Sequence, residues 1–183
     1  MERFRLIATT HSSSSSPIFG STLALPFLFE ATIRENIRYG RLNATDQDIE
    51  EAARLANAHS FISQLPDQYD TLLKEGGRGI SEGQKQLLAI AQVILANPAI
   101  LVLDEATSSI DTLMEINIQQ ALATLMNGRT SFIIAHRLQT IEKADRILVL
   151  QHGRIVQQGT HQALLQQDGL YRELYQKAAT ETG

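Results

Sequence analysis

Two adjacent acidic residues, Asp104 and Glu105, follow the apolar run AILVL. Such a run is typical of a buried parallel strand. Ligands of open α/β sheets collect at the carboxyl ends of the strands, so one carboxylate could hold Mg²⁺ while the other orients or deprotonates an attacking water. The alternative is structural, because two acids also favour the start of the helix that comes next.

Ser81 and Gln84, in the segment ISEGQKQLLAIAQ, have the spacing of a capping box, which by itself explains a helix start at this point. A serine, a glycine (Gly83) and unpaired amides at a helix N-terminus also form an anion site. Both interpretations stay open on these residues alone.

His136 comes directly after the apolar run TSFIIA. A single histidine at a strand end is usually a structural residue. Its place in the sequence also allows it to lie two strand ends away from the acidic pair, where it could take part in the same chemistry.

Helices and strands alternate along the chain after Phe27, and this alternation predicts an α/β fold with a parallel sheet. The helices are predicted from apolar repeats at helical spacing and from their caps, and the strands from short apolar runs. The predicted elements are, in chain order, a helix capped by Thr45, a helix that Pro98 ends, the strand AILVLDE, a helix from Leu113 to Asn127, the strands TSFIIAH, DRILVL and RIVQQG, and two short helices around Gly169.

The composition is that of a globular protein without a nucleic-acid partner. Hydrophobic residues make up 43% and charged residues 20% of the 183 positions, as in chains that bury a core. The net charge of −4 counts against DNA or RNA binding, which rests on Lys and Arg that neutralise phosphates. The chain has no cysteine, which excludes disulfides, zinc–thiolate sites and a cysteine nucleophile and fits an intracellular protein.

No transmembrane helix is expected, because such a helix takes about 20 mostly apolar residues. The longest uncharged stretch, Leu6 to Phe29, contains five consecutive serines, and its apolar part has only 12 residues with Gly20 and Pro26 among them. Residues 1–26 show no lasting helical or strand period, and we expect a low-complexity or non-homologous segment there.

The motifs SEGQ, LVLDE, SSID and AHR, in this order, resemble the second half of an ATP-binding cassette (ABC) domain. FLFEATIRENIRYG and the sequence around the motifs are similar to the exporters of that family, so the resemblance covers roughly Phe27 to Ala178. It implies a P-loop NTPase-like parallel α/β sheet with helices on both faces, whose N-terminal part is truncated. It also implies a helical subdomain with the signature loop at about 41–97 and a catalytic α/β part at about 98–178.

The resemblance implies roles in ATP binding and hydrolysis for seven residues. In the signature loop, Ser81, Gly83 and Gln84 would contact the γ-phosphate of ATP held by an opposing domain; Asp104 would bind Mg²⁺, Glu105 would be the general base, His136 would contact the γ-phosphate, and Asp111 would lie in the loop that couples the two sites of a dimer. The family favours Leu where Ile80 stands and Gly where Glu82 stands. A carboxylate at Glu82 could weaken the contact with phosphate.

The implied cofactors are ATP and Mg²⁺, and the implied activity is ATP hydrolysis coupled to export of a small molecule, drug or lipid. The implied partners are the transmembrane domain of an exporter and a second nucleotide-binding domain. The expected location is peripheral, on the cytoplasmic side of the cell membrane.

The phosphate-binding loop G-x-x-x-x-G-K-[ST] does not occur in the 183 residues. Family order places it before Phe27, where 26 residues leave no room for a βαβ unit of about 30 or more residues. We therefore expect a chain that is inactive alone and presents Ser81 and its neighbours to nucleotide held by a partner. Apolar surface left uncovered would favour association. A frameshift or a misplaced start codon would explain the change near Phe27.

Two other functions are considered. A non-catalytic module could supply the signature motif in trans to an intact cassette, although such a module would tolerate the loss of Glu105 and His136, which are both present. A soluble cassette ATPase of the DNA-repair type would need a long coiled-coil insertion, which the sequence lacks.

Overall fold

The computed structural model describes residues 4–10, 20–23, 28–104, 110–135 and 138–181. Its elements, in chain order, are β1 (Phe4–Thr10), β2 (Gly20–Leu23), α1 (Ile33–Arg38), α2 (Asp46–Leu55), α3 (His59–Ile62), α4 (Glu82–Ala96), β3 (Ile100–Asp104), α5 (Thr112–Met126), β4 (Thr130–Ala135), α6 (Leu138–Glu142), β5 (Arg146–Gln151), β6 (Arg154–Gly159), α7 (His161–Leu165) and α8 (Leu170–Glu181). The chain divides into two compact units. The first contains β1, β3 to β6 and α6 to α8, and the second contains β2 and α1 to α5.

The strands of the first unit lie in the order β3-β4-β1-β5-β6. β3 and β4 are parallel, and β1 is antiparallel to both β4 and β5, so β4 and β5 run in the same direction. β6 returns antiparallel to β5 through the turn at His152 and Gly153, both of which have positive φ. The α/β class with a parallel sheet is confirmed, and β1 and β6 make the sheet mixed.

β1 and β2 lie within residues 1–26, where the sequence shows no lasting strand period. β1 bonds to a strand on each side. A strand in the interior of a sheet can be apolar on both faces, so an alternating pattern is not required. FRLIATT has three consecutive apolar residues, Leu6 to Ala8, between polar positions, so it shows no clear two-residue period.

The longer elements form where the sequence predicts them. α2 starts at Thr45, whose side chain forms a reciprocal capping box with Asp48. α4 ends at Asn97, in the left-handed conformation just before Pro98. The predicted helix ending before Gly128, the two tail helices and the four predicted strands are also confirmed. α1, α3 and α6 were not predicted, because helices of four to six residues show too little periodicity to detect.

α4 is the central helix of the second unit. It is buried on more than one face, through Leu87, Leu88, Ile90 and Leu95. A helix that is apolar on most of its surface must be covered by neighbours, and α1, α2 and α5 all contact it. None of the helices in the described ranges combines the length and the apolarity that crossing a lipid bilayer requires.

Asn36, in α1, is hydrogen-bonded to the backbone of the segment just before this helix, residues 29–32. Its side chain is fully buried, and its Oδ1 accepts a hydrogen bond from the backbone N–H of Phe29 at 2.8 Å. Its Nδ2 lies 3.0 to 3.3 Å from the carbonyl oxygens of Phe29, Ala31 and Thr32. The carbonyl oxygen of Asn36 in turn accepts from Gln92 Nε2 of α4 at 2.8 Å. The side chain thus bonds to both backbone groups of Phe29 and adds to the bonds that the carbonyls of Ala31 and Thr32 already accept from backbone N–H groups.

Replacement of Asn36 by alanine is expected to lower the free energy of unfolding by about 3 kcal/mol, because it removes the hydrogen bonds that this buried side chain makes to the backbone. Urea denaturation measures this change. Asn43→Ala is the matched control, since Asn43 is exposed, and its effect should stay within about 0.5 kcal/mol. Equal losses in the two variants would contradict this role of Asn36.

Candidate functional site

Ser81 is the N-cap of α4, as its spacing to Gln84 predicts. Its Oγ accepts a hydrogen bond from the backbone N–H of Gln84 at 3.2 Å, and Gln84 Oε1 accepts from the backbone N–H of Ser81 at 2.9 Å. This capping box fixes both signature side chains in one local geometry.

The capping box leaves hydrogen-bond donors pointing out of the helix. Ser81 is exposed, and its hydroxyl uses an oxygen lone pair in the cap, so its hydrogen is available to another acceptor. Within the described part of the chain, the amides of Glu82 and Gly83 have no acceptor, as expected for a first helical turn, and Gly83 itself is buried. Three donors at the positive end of a 15-residue helix suit an anion such as a phosphate group.

Gly83 brings the first turn of α4 against the start of α5. A Cβ on Gly83 would lie 2.2 Å from Cγ and 3.0 Å from Sδ of Met114, and 3.5 Å from Cγ2 of Ile110. Only a hydrogen fits in this space. Asp111 lies between these two contacts and is the N-cap of α5, since its Oδ1 accepts from the N–H of Met114 at 3.0 Å. The structure therefore places Asp111 beside the signature turn.

Glu82 is exposed on the same turn, and its carboxylate pairs with Nζ of Lys85 at 3.2 Å. The Lys85 side chain is only 21% exposed. Its stem lies beside Gly77, where an added Cβ would be 3.3 Å from Cδ and from Cε. The negative charge that the sequence places at the anion site is therefore matched by an adjacent cation.

Asp104 is the last residue of β3 in the first unit, and it is exposed. It pairs in register with Ile134 of the parallel strand β4, so it lies at the carboxyl edge of both strands, as predicted for a Mg²⁺ ligand. Glu105 and His136, the residues predicted for catalysis, lie outside the described residues.

The donors that are described fit the two expected cofactors. The hydroxyl of Ser81 and the two open amides suit a phosphate, and the exposed carboxylate of Asp104 is a hard oxygen ligand of the kind that Mg²⁺ prefers. No cluster of three or more ligating side chains occurs among the described residues. Mg²⁺ does not require one, because it usually takes one or two carboxylates, with waters and substrate phosphates as its other ligands.

A separate polar pocket of about 240 Å³ lies in the second unit, away from the predicted site residues. Tyr69 lines it, and burial raises the pKa of Tyr69 to about 12. Its hydroxyl lies 2.8 Å from His59 Nδ1. The guanidinium of Arg34, over the Tyr69 ring, pairs with Asp46 and Asp70, and the hydrogen bond with Asp70 raises the pKa of Arg34. These pairings account for the pocket as part of the structure of this unit.

Three residues that matter to the signature turn were not singled out from the sequence. Met114 and Lys85 contact the turn, and Asn36 orders the segment that leads to the unit. The spacing of Glu82 and Lys85, three positions apart on a predicted helix, is a signal that could have found that pair. Met114 has no such signal, because its contact with Gly83 depends on how two helices pack.

Gly83→Ala is expected to destabilise the chain by about 1 to 3 kcal/mol in urea denaturation, because the added methyl overlaps the Met114 side chain. In a Met114→Ala background the same substitution should cost less than about 0.5 kcal/mol, since the overlapping atoms are gone. An equal cost in both backgrounds would refute the packing constraint.

The ABC transporter family matches residues 10–108, more than half of the chain. A relative from Bacillus subtilis (strain 168), named "Uncharacterized ABC transporter ATP-binding protein YfiC", is 57% identical over 93% of this chain and 28% of its own length. The "ATP-dependent lipid A-core flippase" of Legionella pneumophila (strain Lens) is 55% identical over 81% of this chain and 25% of its own length. The chain thus spans about a quarter of the length of these curated relatives.

A solved structure, "Structure of a bacterial Atm1-family ABC exporter with ATP bound", is similar with a TM-score of 0.77 and 42% identity. The similarity covers 86% of this chain and 28% of that one. The family match, the named relatives and this fold agree with the ordered motifs and with the capped signature helix. This chain belongs to the ABC transporter family, as part of an exporter-type nucleotide-binding domain.

Proposed function

We propose that this chain is part of an ATPase domain that couples ATP binding and hydrolysis to the export of a small molecule, drug or lipid. The observation that carries the proposal is the signature turn. Both hydrogen bonds of its capping box are formed, its first two amides have no acceptor among the described residues, and Gly83 packs it against the start of α5. Such a turn binds the γ-phosphate of ATP held by an opposing nucleotide-binding domain.

The residue roles follow from this arrangement. Ser81, Gly83 and Gln84 form the phosphate-facing turn, and Asp111 beside it transmits the state of one site to the other. In the first unit, Asp104 holds Mg²⁺. Glu105 acts as general base for the attacking water, and His136 contacts the γ-phosphate. The signature turn would contact the nucleotide held by the partner domain, and the residues of the first unit would act on a nucleotide held on their own side of the dimer.

The proposed partners are a second nucleotide-binding domain and the transmembrane domain of an exporter, at the cytoplasmic side of the cell membrane. The relatives support this, because a lipid flippase and an Atm1-family exporter carry the similar segment as about a quarter of their length. The net charge of −4 is consistent with the absence of a nucleic-acid partner.

A second candidate is a non-catalytic module that supplies only the signature turn to an intact cassette. The observation that favours it is the absence of G-x-x-x-x-G-K-[ST] from the 183 residues. In an assay of these 183 residues alone, Glu105 would lack the backbone amides and the lysine that hold a nucleotide beside it.

The proposed phosphate contact can be tested by association with a complete ABC nucleotide-binding domain, for example that of the Bacillus subtilis relative. Mg²⁺ and a non-hydrolysable ATP analogue should promote binding of this chain, measured by sedimentation velocity. Ser81→Ala should weaken the binding at least about tenfold, because a charge-assisted hydrogen bond is lost.

Thr45→Ala is the matched control, since it removes an equivalent capping box from α2. Both variants lose a cap, which costs about 1 kcal/mol of stability, but only Ser81→Ala should affect nucleotide-dependent binding. Association that is equally strong without nucleotide, or no association at all, would count against the proposed function.

Glu105→Gln separates the two candidate functions. The measurement is the ATP hydrolysis rate of this chain mixed with the complete nucleotide-binding domain, with ATP in place of the non-hydrolysable analogue. The non-catalytic module predicts no change in the rate, because hydrolysis would occur only at the nucleotide that the complete domain holds, whereas the proposed role of Glu105 as general base predicts a large decrease. A large decrease would assign a catalytic role to Glu105 and reject the non-catalytic module.

A further inference from the structure

We propose that Lys85 is a positioning residue for phosphate binding at the signature turn: it pairs with Glu82 and so keeps that carboxylate from competing with the phosphate. This inference rests on the proposed function, since it concerns the same turn. It explains how an acidic residue can stand beside open donors that suit an anion.

The proposed role of Lys85 is to neutralise the negative charge of Glu82 at the start of α4. Glu82 is the first residue of α4, and its carboxylate is about half exposed. An unpaired carboxylate there would interact with the positive end of the helix in place of the phosphate. It would also repel an incoming phosphate. The ammonium of Lys85 lies 3.2 Å from that carboxylate, so the net charge of the pair is close to zero.

The position of Lys85 is set by packing as well as by charge. Its stem runs beside Gly77, whose φ of +71° belongs to the turn before the signature segment. A side chain on residue 77 would crowd the Lys85 methylenes. The stem of Lys85 is therefore held by packing against Gly77 while its ammonium pairs with the Glu82 carboxylate.

The structural alternative is an ordinary surface ion pair three residues apart, which stabilises a helix by a few tenths of a kcal/mol and affects no ligand. The Glu50–Arg54 pair of α2, four residues apart and at 3.6 Å, is an ordinary surface ion pair of this kind and provides the control. If Lys85 acts only in this way, Lys85→Met and Arg54→Met should have equal effects in every assay.

The first experiment measures nucleotide-dependent association with a complete nucleotide-binding domain, as above. Lys85→Met keeps the stem and should weaken association about three- to tenfold, because one negative charge is uncovered near a phosphate. Lys85→Arg should restore it. In a Glu82→Gln background, Lys85→Met should cost less than about twofold, because the carboxylate that Lys85 neutralises is gone. An equal loss from Lys85→Met in both backgrounds would overturn the proposal.

The second experiment does not depend on a partner. Tripolyphosphate is titrated into the full chain, and the amide NMR signals of Glu82 and Gly83 are followed. Lys85→Met should raise the apparent Kd by a similar factor, with rescue by Glu82→Gln, and Arg54→Met should not. If the chain fails to associate with any partner, the proposed function fails and this titration alone decides the role of Lys85. The absence of any shift at these amides, or an unchanged Kd in Lys85→Met, would reject that role.

Discussion

The contact between Gly83 and Met114 constrains the whole candidate nucleotide face of the second unit. At this point the first turn of α4 lies so close to the first turn of α5 that a methyl group would sit 2.2 Å from a side-chain carbon. Two helix starts, capped by Ser81 and Asp111, are thereby held side by side. Helix starts carry unpaired amides and partial positive charge, so two of them side by side place positive potential on this face.

The buried body of α4 makes that contact rigid. Because α1, α2 and α5 all cover it, the helix cannot rotate to relieve a clash at its first turn without unpacking its neighbours. Asn36 and Gln92 add hydrogen bonds that tie α1 to the same helix. The position of the exposed signature turn is thus set by interactions that lie along the whole length of α4.

The sheet of the first unit places Asp104 by a different constraint, the direction of the strands. β3 and β4 run in parallel, so their carboxyl ends share one edge. β1 lies among the strands in the opposite direction, and its last residue, Thr10, pairs with Ser131 near the start of β4. The carboxyl end of β1 therefore lies at the edge opposite Asp104. Since a phosphate-binding loop must follow a strand that ends at the ligand edge, β1 does not serve as that strand.

The sequence by itself determined the longer elements and the motifs, because caps, apolar periodicity and turn glycines are local signals. Thr45, Ser81 and Gly128 mark helix ends that the structure contains, and the order of the motifs indicated the family. The tertiary structure alone decided which distant residues meet. Three features depend on packing and on hydrogen bonds between segments far apart in the chain: the close contact of Gly83 with Met114, the bond between Asn36 and Gln92, and the place of an antiparallel β1 between β4 and β5. No periodicity encodes such contacts, since they arise only when the elements are brought together.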